Sequence, residues 1–310
     1  MILTVTLNPA IDRTILVDKL VFEDRSYMRS SVDSPGGRGI NASRVLKGFG
    51  AKTMAVLTAG GEAGDRMSAL LEQIGFPADV IRVRAETRTN MTISDKAGLT
   101  IKLNEVGGGI TEDELQQVRD AVERHLPEAE WLMLCGSLPP EVPTNFYAKL
   151  IEIAHEANVK TFLDTDDAAL LRGLEAKPTV VKPNQHEAER LIGRALLSRA
   201  RSVEAARQIQ ELGADTVLLS LGSRGIIACR KDEDMIEATP PSVDAVSAIG
   251  AGDAVAAAYV WASASGLTFL ESVKWAVACG TATATQPGMQ FATKAQTEAL
   301  LRRIEVKTLR

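Results

Sequence analysis

Residues 131–165 read WLMLCGSLPPEVPTNFYAKLIEIAHEANVKTFLDT. Two short apolar runs, WLMLCGS (131–137) and VKTFLDT (159–165), flank TNFYAKLIEIAHEA, whose apolar residues recur at helical spacing. Runs so short and so apolar suit strands covered on both faces, and a helix between two of them marks a unit of a parallel sheet. The alternation continues in both directions. ILTVTL (2–7), TMAVLTA (53–59), TVVKPN (179–184) and DTVLLSLG (215–222) read as further buried strands. INASRVLKGFG, DRMSALLEQIG, TEDELQQVRDAVERHL and SVEAARQIQELG read as further helices, and residues 251–304 as mostly helical. The pattern predicts an α/β fold: a doubly wound, mostly parallel sheet with helices on both faces, in one unit over 1–310.

Two segments break the rhythm. Residues 13–33 and 82–105 alternate like half-exposed antiparallel strands, with a hairpin turn at Lys96-Ala97-Gly98. They are expected to form a small antiparallel β layer, a lid over the mouth of the sheet. Ligands of open α/β sheets bind at the carboxyl ends of the strands, so the loops there carry the chemistry.

Composition narrows the partners. A chain of 310 residues with net charge -5 and no long basic run is poorly suited to nucleic acid or an anionic membrane surface. The longest apolar run, AVAAAYVWA, is too short to span a bilayer, and the N-terminal MILTVTLNPAID does not read as a signal peptide. Cys135, Cys229 and Cys279 lie far apart and read as buried thiols of a reducing cytoplasm. With three histidines and no HExxH, a zinc hydrolase or a histidine-based triad has little to build on.

Five loops stand out. In SAIGAGDAVAAAYVWA (247–262), glycines run into Asp253 and then a helix. Asp253 is either a helix cap, a gain of about 1 kcal/mol, or a proton acceptor beside an anion hole formed by the amides of Gly250, Ala251 and Gly252. SPGGRGINAS (34–43) is a tight glycine turn entering a helix. Its Gly37-x-Gly39-x-x-Ala42 spacing matches a dinucleotide fingerprint, but it does not follow the first strand, where that fingerprint belongs. Close backbone approach to a small polar ligand fits it better, with Arg38 and Asn41 in the site. In TLNPAID, Asp12 is a candidate for sugar hydroxyls or a turn residue. In VKPNQHEAE, Asn184 and Glu187 share one helix face; they suit Mg²⁺, directly or through water, or a capping box. SLGSRGI (220–226) suits backbone contact with nucleotide phosphates or a plain turn. Arg25, Arg29, Arg88 and Lys102 fall in the lid, where an inward arginine would bind a second phosphate.

Together GGRGINAS, SAIGAGDAVAAAY, CGSLPP (135–140), KPNQHE (182–187) and SLGSRG (220–225) resemble, in order and spacing, the phosphofructokinase B family of ribokinase-like sugar kinases, over nearly the full chain. TLNPAID, GSLPP and RIEV most resemble its branch of 1-phosphofructokinase and tagatose-6-phosphate kinase. The resemblance implies an ATP-dependent kinase acting on a ketohexose phosphate, with fructose 1-phosphate preferred and tagatose 6-phosphate or fructose 6-phosphate next; a regulator that binds nucleotide or sugar phosphate without turnover is the second class. For the kinase, Asp253 is then the general base, with the amides of Gly250, Ala251 and Gly252 holding developing charge. Lys182, Asn184, Ser220, Leu221, Gly222, Ser223, Arg224 and Gly225 would border ATP, and Asn184 with Glu187 would place Mg²⁺. Asp12, Gly36, Gly37 and Asn41 would hold the sugar, and Arg38, Arg88, Ser137 and Arg25 its phosphate. A homodimer through the lid also follows from the resemblance. Four departures bear on the acceptor: Arg38 replaces the usual lysine, DTDD (164–167) replaces DTSG, Lys102 stands where an acid is usual, and Tyr27 lies near a register where some relatives place a basic residue.

Overall fold

The computed structural model describes residues 1–21 and 23–309; Phe22, within the expected lid segment, and Arg310 lie outside the described residues. The first third runs β1 (Ile2–Thr6), β2 (Ala10–Val17), β3 (Met28–Gly36), α1 (Arg38–Gly48), β4 (Thr53–Ala59), α2 (Gly61–Gln73), β5 (Ala78–Arg82), β6 (Arg88–Asp95) and β7 (Thr100–Asn104). Then come α3 (Glu112–His125), β8 (Trp131–Cys135), α4 (Phe146–Glu156), β9 (Lys160–Asp164), α5 (Asp167–Glu175), β10 (Val180–Val181), α6 (Gln185–Ile192), α7 (Arg199–Glu211) and β11 (Thr216–Ser220). The chain closes with β12 (Ile226–Arg230), β13 (Met235–Thr239), α8 (Ala251–Ala264), α9 (Phe269–Ala284), α10 (Lys294–Leu301) and β14 (Glu305–Leu309).

Ten strands form the large sheet in the order β14-β13-β12-β11-β10-β9-β8-β1-β4-β5. From β5 to β11 every pairing is parallel; β12, β13 and β14 extend it antiparallel. Alternation along β8 shows why both faces must be covered. Leu132 and Leu134 enter a core shared with α3 and α4, while Trp131, Met133 and Cys135 enter one shared with α1, α8 and α9. The three cysteines are buried and unpaired. No helix among the described residues is long and apolar enough to cross a membrane.

The second sheet, β3-β2-β6-β7, is the expected lid. Each of its hairpins is antiparallel, but β2 and β6, its central pair, run parallel, so the layer is mixed. Residues 82–87 do not belong to it: Arg82 ends β5 in the large sheet. Lid strand β2 leaves from the carboxyl end of β1 and β3 returns directly into α1, while β6 and β7 follow β5, which roots the lid at the sheet mouth. That order also disposes of the dinucleotide fingerprint, because the glycines of α1 follow a lid strand.

Candidate active site

Among the described residues, five of the ten α-helices, α3, α6, α7, α9 and α10, carry a side-chain cap. Helices α1 and α8 do not. Their N-caps are Gly37 and Gly250, and neither helix has a side-chain cap bond. Gly250 sits at φ 75°, the left-handed region open to glycine, and a Cβ there would lie 2.7 Å from the Phe291 ring. Asp253 is the third residue of α8, so it is not the cap. The Ala251 amide turns back to the Ala248 carbonyl at 3.4 Å, leaving the first-turn amides of Gly252 and Asp253 without an intrahelical acceptor.

The two bare helix starts meet. Asn41 Nδ2 donates to Asp253 Oδ2 at 2.8 Å, tying α1 to α8. Burial and the charge of Asp164 push the Asp253 carboxyl up to about 7, against the pull of Asn41, Arg38 and Lys182. The residue as a whole is nonetheless half-buried. A carboxylate so poised is a competent proton acceptor near neutral pH.

Beside it lies a corner of opposed charges. Asp164, at the end of β9, takes Lys182 Nζ at 3.0 Å on one oxygen and Arg38 Nη1 at 3.1 Å on the other. Arg38 Nη2 also reaches Asp166 at 3.1 Å and Glu187 at 3.4 Å. Burial lowers the Lys182 ammonium, but Asp164 and Glu187 outweigh it and hold the group above its ordinary value. Lys182 Nζ stands 3.8 Å from where a Gly252 Cβ would be, which sets a cation beside the bare start of α8.

On the lid side, Asn90 Nδ2 donates to Asp12 Oδ1 at 3.0 Å. Burial raises the Asp12 carboxyl, with Asn90, Arg88 and Arg44 opposing. A Cβ on Gly36 would collide with that carboxylate. Arg88 donates to the Asn8 carbonyl at 2.9 Å and the Glu105 carbonyl at 3.0 Å, and Asn8 Nδ2 reaches Ser137 Oγ at 3.2 Å. Among the described residues, the buried side-chain atoms left without a hydrogen bond include Thr6 Oγ1, Asn41 Oδ1, Asn90 Oδ1 and Arg44 Nη1. These orphans gather round the start of α1 and the root of the lid, where buried polar groups need a partner. A ligand rich in hydroxyls would supply it.

On the far side, Ser220 hydrogen-bonds the Pro183 carbonyl at 3.0 Å through its amide, and Arg224 reaches Gln185 at 2.5 Å. The turn from Leu221 through Gly222 and Ser223 to Gly225 therefore lies against the start of α6. Asn184 and Glu187 cap α6 reciprocally: Asn184 Oδ1 accepts from the Glu187 amide at 2.9 Å, and Glu187 Oε2 from the Asn184 amide at 2.8 Å. No three His, Cys, Asp or Glu side chains gather as a metal shell among the described residues. Only Glu187 Oε1 faces elsewhere, toward Arg38. This donor set is no cage for a bare ion, but it fits a hydrated Mg²⁺ whose other ligands are water and phosphate, the usual habit of that ion.

The structure thus brings together Asp253, Asn41, Arg38, Lys182, Glu187 and the glycine starts of α1 and α8. One expectation needs correction. Arg25 lies exposed in the loop at the far end of β2, some five strand residues, roughly 17 Å, beyond Asp12, so it does not reach this cluster within one chain. Asn184 and Glu187 form the capping box that the sequence offered beside the metal reading. Sequence reasoning also misses Asn8, Asn90 and the hub Asp164. Asn90 is signalled by parity, since it lies two residues from Arg88 on the same strand face.

Comparison with known proteins agrees with the geometry. Residues 5–296 match the pfkB family carbohydrate kinase profile. The chain is 32% identical to the 1-phosphofructokinase of Bacillus subtilis over 92% of each protein. It is 30% identical to the ATP-dependent 6-phosphofructokinase isozyme 2 of Mycobacterium tuberculosis, over 93% of this chain and 85% of that protein. The crystal structure of phosphofructokinase-2 from Escherichia coli in complex with fructose-6-phosphate superposes with a TM-score of 0.88 at 28% identity, covering 97% of this chain and 98% of that one. With a match spanning nearly all its length and a site built from the same loops that carry the resemblance, the chain belongs to the pfkB family of carbohydrate kinases.

Proposed function

We propose that the protein is an ATP-dependent kinase that phosphorylates a ketohexose phosphate, fructose 1-phosphate above others, to a 1,6-bisphosphate. The observation that carries this reading is the raised Asp253 carboxyl at the uncapped start of α8, held by Asn41. Asp253 takes the proton of the acceptor hydroxyl as its oxygen attacks the γ-phosphorus, and the bond to the β–γ bridging oxygen breaks to release ADP. The amides of Gly252 and Asp253, with Lys182 beside them, hold the charge that develops on the transferred group, while the Ala251 amide is turned back to Ala248. Asp12, Asn41, Asn90 and the backbone at Gly36 and Gly37 take the sugar hydroxyls. Arg88 and Ser137, linked through Asn8, take the acceptor's own phosphate. Ser220 to Gly225 border the nucleotide. Mg²⁺ arriving with it would neutralise phosphate charge, and Glu187 would hold its water. The 6-phosphofructokinase relatives keep fructose 6-phosphate as the second acceptor to consider, with tagatose 6-phosphate beside it.

The exposed apolar side chains of the lid, Tyr27, Met28, Val32 and Leu103 among them, support a homodimer in which a second copy covers that layer.

The test of acceptor class is ADP release with Mg-ATP against fructose 1-phosphate, fructose 6-phosphate, tagatose 6-phosphate, free fructose and ribose. The expected result is a kcat/KM highest for fructose 1-phosphate. Turnover confined to unphosphorylated sugars would overturn the acceptor class and the part assigned to Arg88.

A further inference from the structure

The family resemblance assigns Arg38 to the acceptor's phosphate, yet its guanidinium is already engaged. Its partners come from three elements: Asp164 at the end of β9, Asp166 before α5 and Glu187 in the first turn of α6. The side chains of Asp164 and Glu187 are 3% exposed. Charges so deep are stable only when paired. A planar fork spreads its donors over two terminal nitrogens and Nε and so reaches carboxylates from three separate elements, whereas an ammonium's donors all radiate from one atom.

The loop that supplies Asp166 is built against its local preferences. Asp166 occupies the N-cap of α5 and makes no cap hydrogen bond, although aspartate is a favoured cap. The next residue, Asp167, sits at φ 49°, where side chains other than glycine are uncommon. The carboxylate that would have capped α5 goes to Arg38 instead. Two of the four departures from the family pattern, Arg38 and Asp166, are therefore in contact with each other.

We propose that Arg38 and Asp166 form one positioning unit, which fixes Glu187 and Asp164 on the nucleotide side of the site instead of contacting the acceptor's phosphate. The proposal rests on the kinase reading above. With Asp166 present, the corner holds three acids against Arg38 and Lys182. A lysine at 38 would keep the charge but lose the fork, leaving one of the three carboxylates without its hydrogen-bonded partner and facing the place an anionic nucleotide must enter. With Asp166 gone, that demand disappears, and a serine at 166 regains a cap for α5.

A double-mutant cycle tests this, using Arg38→Lys, Asp166→Ser and the two combined, each first shown to melt cooperatively. Asp166→Asn replaces Asp166→Ser if the serine variant does not fold. Calorimetric titration with Mg-ADP reads the nucleotide side, and the KM for fructose 1-phosphate reads the acceptor side. Arg38→Lys is expected to weaken Mg-ADP by at least about tenfold in the wild-type background, but by no more than about threefold beside Asp166→Ser. Acceptor KM should move less than about threefold throughout. Equal losses in both backgrounds would overturn the unit, as would a loss confined to acceptor KM. The wild type's own Mg-ADP affinity reports on the kinase reading, while the ratio between backgrounds reports on the pair.

Discussion

At the scale of the residue, the proposed catalysis turns on what burial does to one carboxyl. Asp253 is raised to about 7 because surrounding protein and Asp164 disfavour its charge. Only the ionised form accepts a proton, so kcat/KM should fall about tenfold per pH unit below 7 and level off above it. A bell or step with its acid midpoint near 4 would contradict the shift. Stability runs the opposite way with pH. A folded-state carboxyl raised above its unfolded value of 3.8 contributes stability at low pH and loses it as pH rises toward 7. The melting temperature of Asp253→Asn, relative to wild type, should therefore climb between pH 4 and 7 and then stay level. Residues within one local motif, such as Gly250 to Asp253 or Lys182 to Glu187, are legible in the sequence because spacing alone places them. Asp164 and Asn90 are not: the bond from Arg38 to Asp164 spans 126 residues and that from Asn90 to Asp12 spans 78. No local pattern encodes such meetings.

At the scale of the element, the strands that read most clearly are those buried on both faces, such as Thr53–Ala59, wholly apolar but for its threonines. Strand β10 is reduced to Val180–Val181, and α5 escapes a reading by periodicity. So do strands β12, β13 and β14. Strand β14 is a half-exposed edge whose partner, β13, lies some seventy residues earlier (Leu309 opposite Met235), so neither burial nor proximity announces it. The lid is legible as an alternating layer, but its parallel centre is not, because alternation fixes faces and not direction. Register puts Asp12, Thr14 and Leu16 on one face with Val32 and Ser34. Val32 is 63% exposed there, and the free edges of β3 and β7 invite a partner. Sedimentation should show a dimer at micromolar concentration, and Val32→Glu should give a monomer that is still folded. A wild type that sediments as a monomer at every concentration would remove the dimer.

At the scale of the whole molecule, the fold works by convergence. The sheet presents β1, β8 and β9 side by side, so the loops after them meet at one mouth. Helices α1 and α8 then bring two uncapped starts to the same point, from residues 212 apart in the chain. In the proposed reading the lid closes the acceptor side with Asp12, Asn90 and Arg88, while α6 and the 220–225 turn close the nucleotide side. Fold class and the candidate site are legible because five loops fall in a recognisable order. The charge network linking Arg38, Asp164, Asp166 and Glu187 is a property of the assembled mouth and can be seen only there. The most direct test of the whole arrangement is the rate of phosphoryl transfer from Mg-ATP to fructose 1-phosphate by Asp253→Asn. The expected result is a kcat lower by at least about 10² with Mg-ATP affinity within a few-fold of wild type. A kcat near that of the wild type would show that Asp253 is not the base, and the proposed mechanism would be wrong.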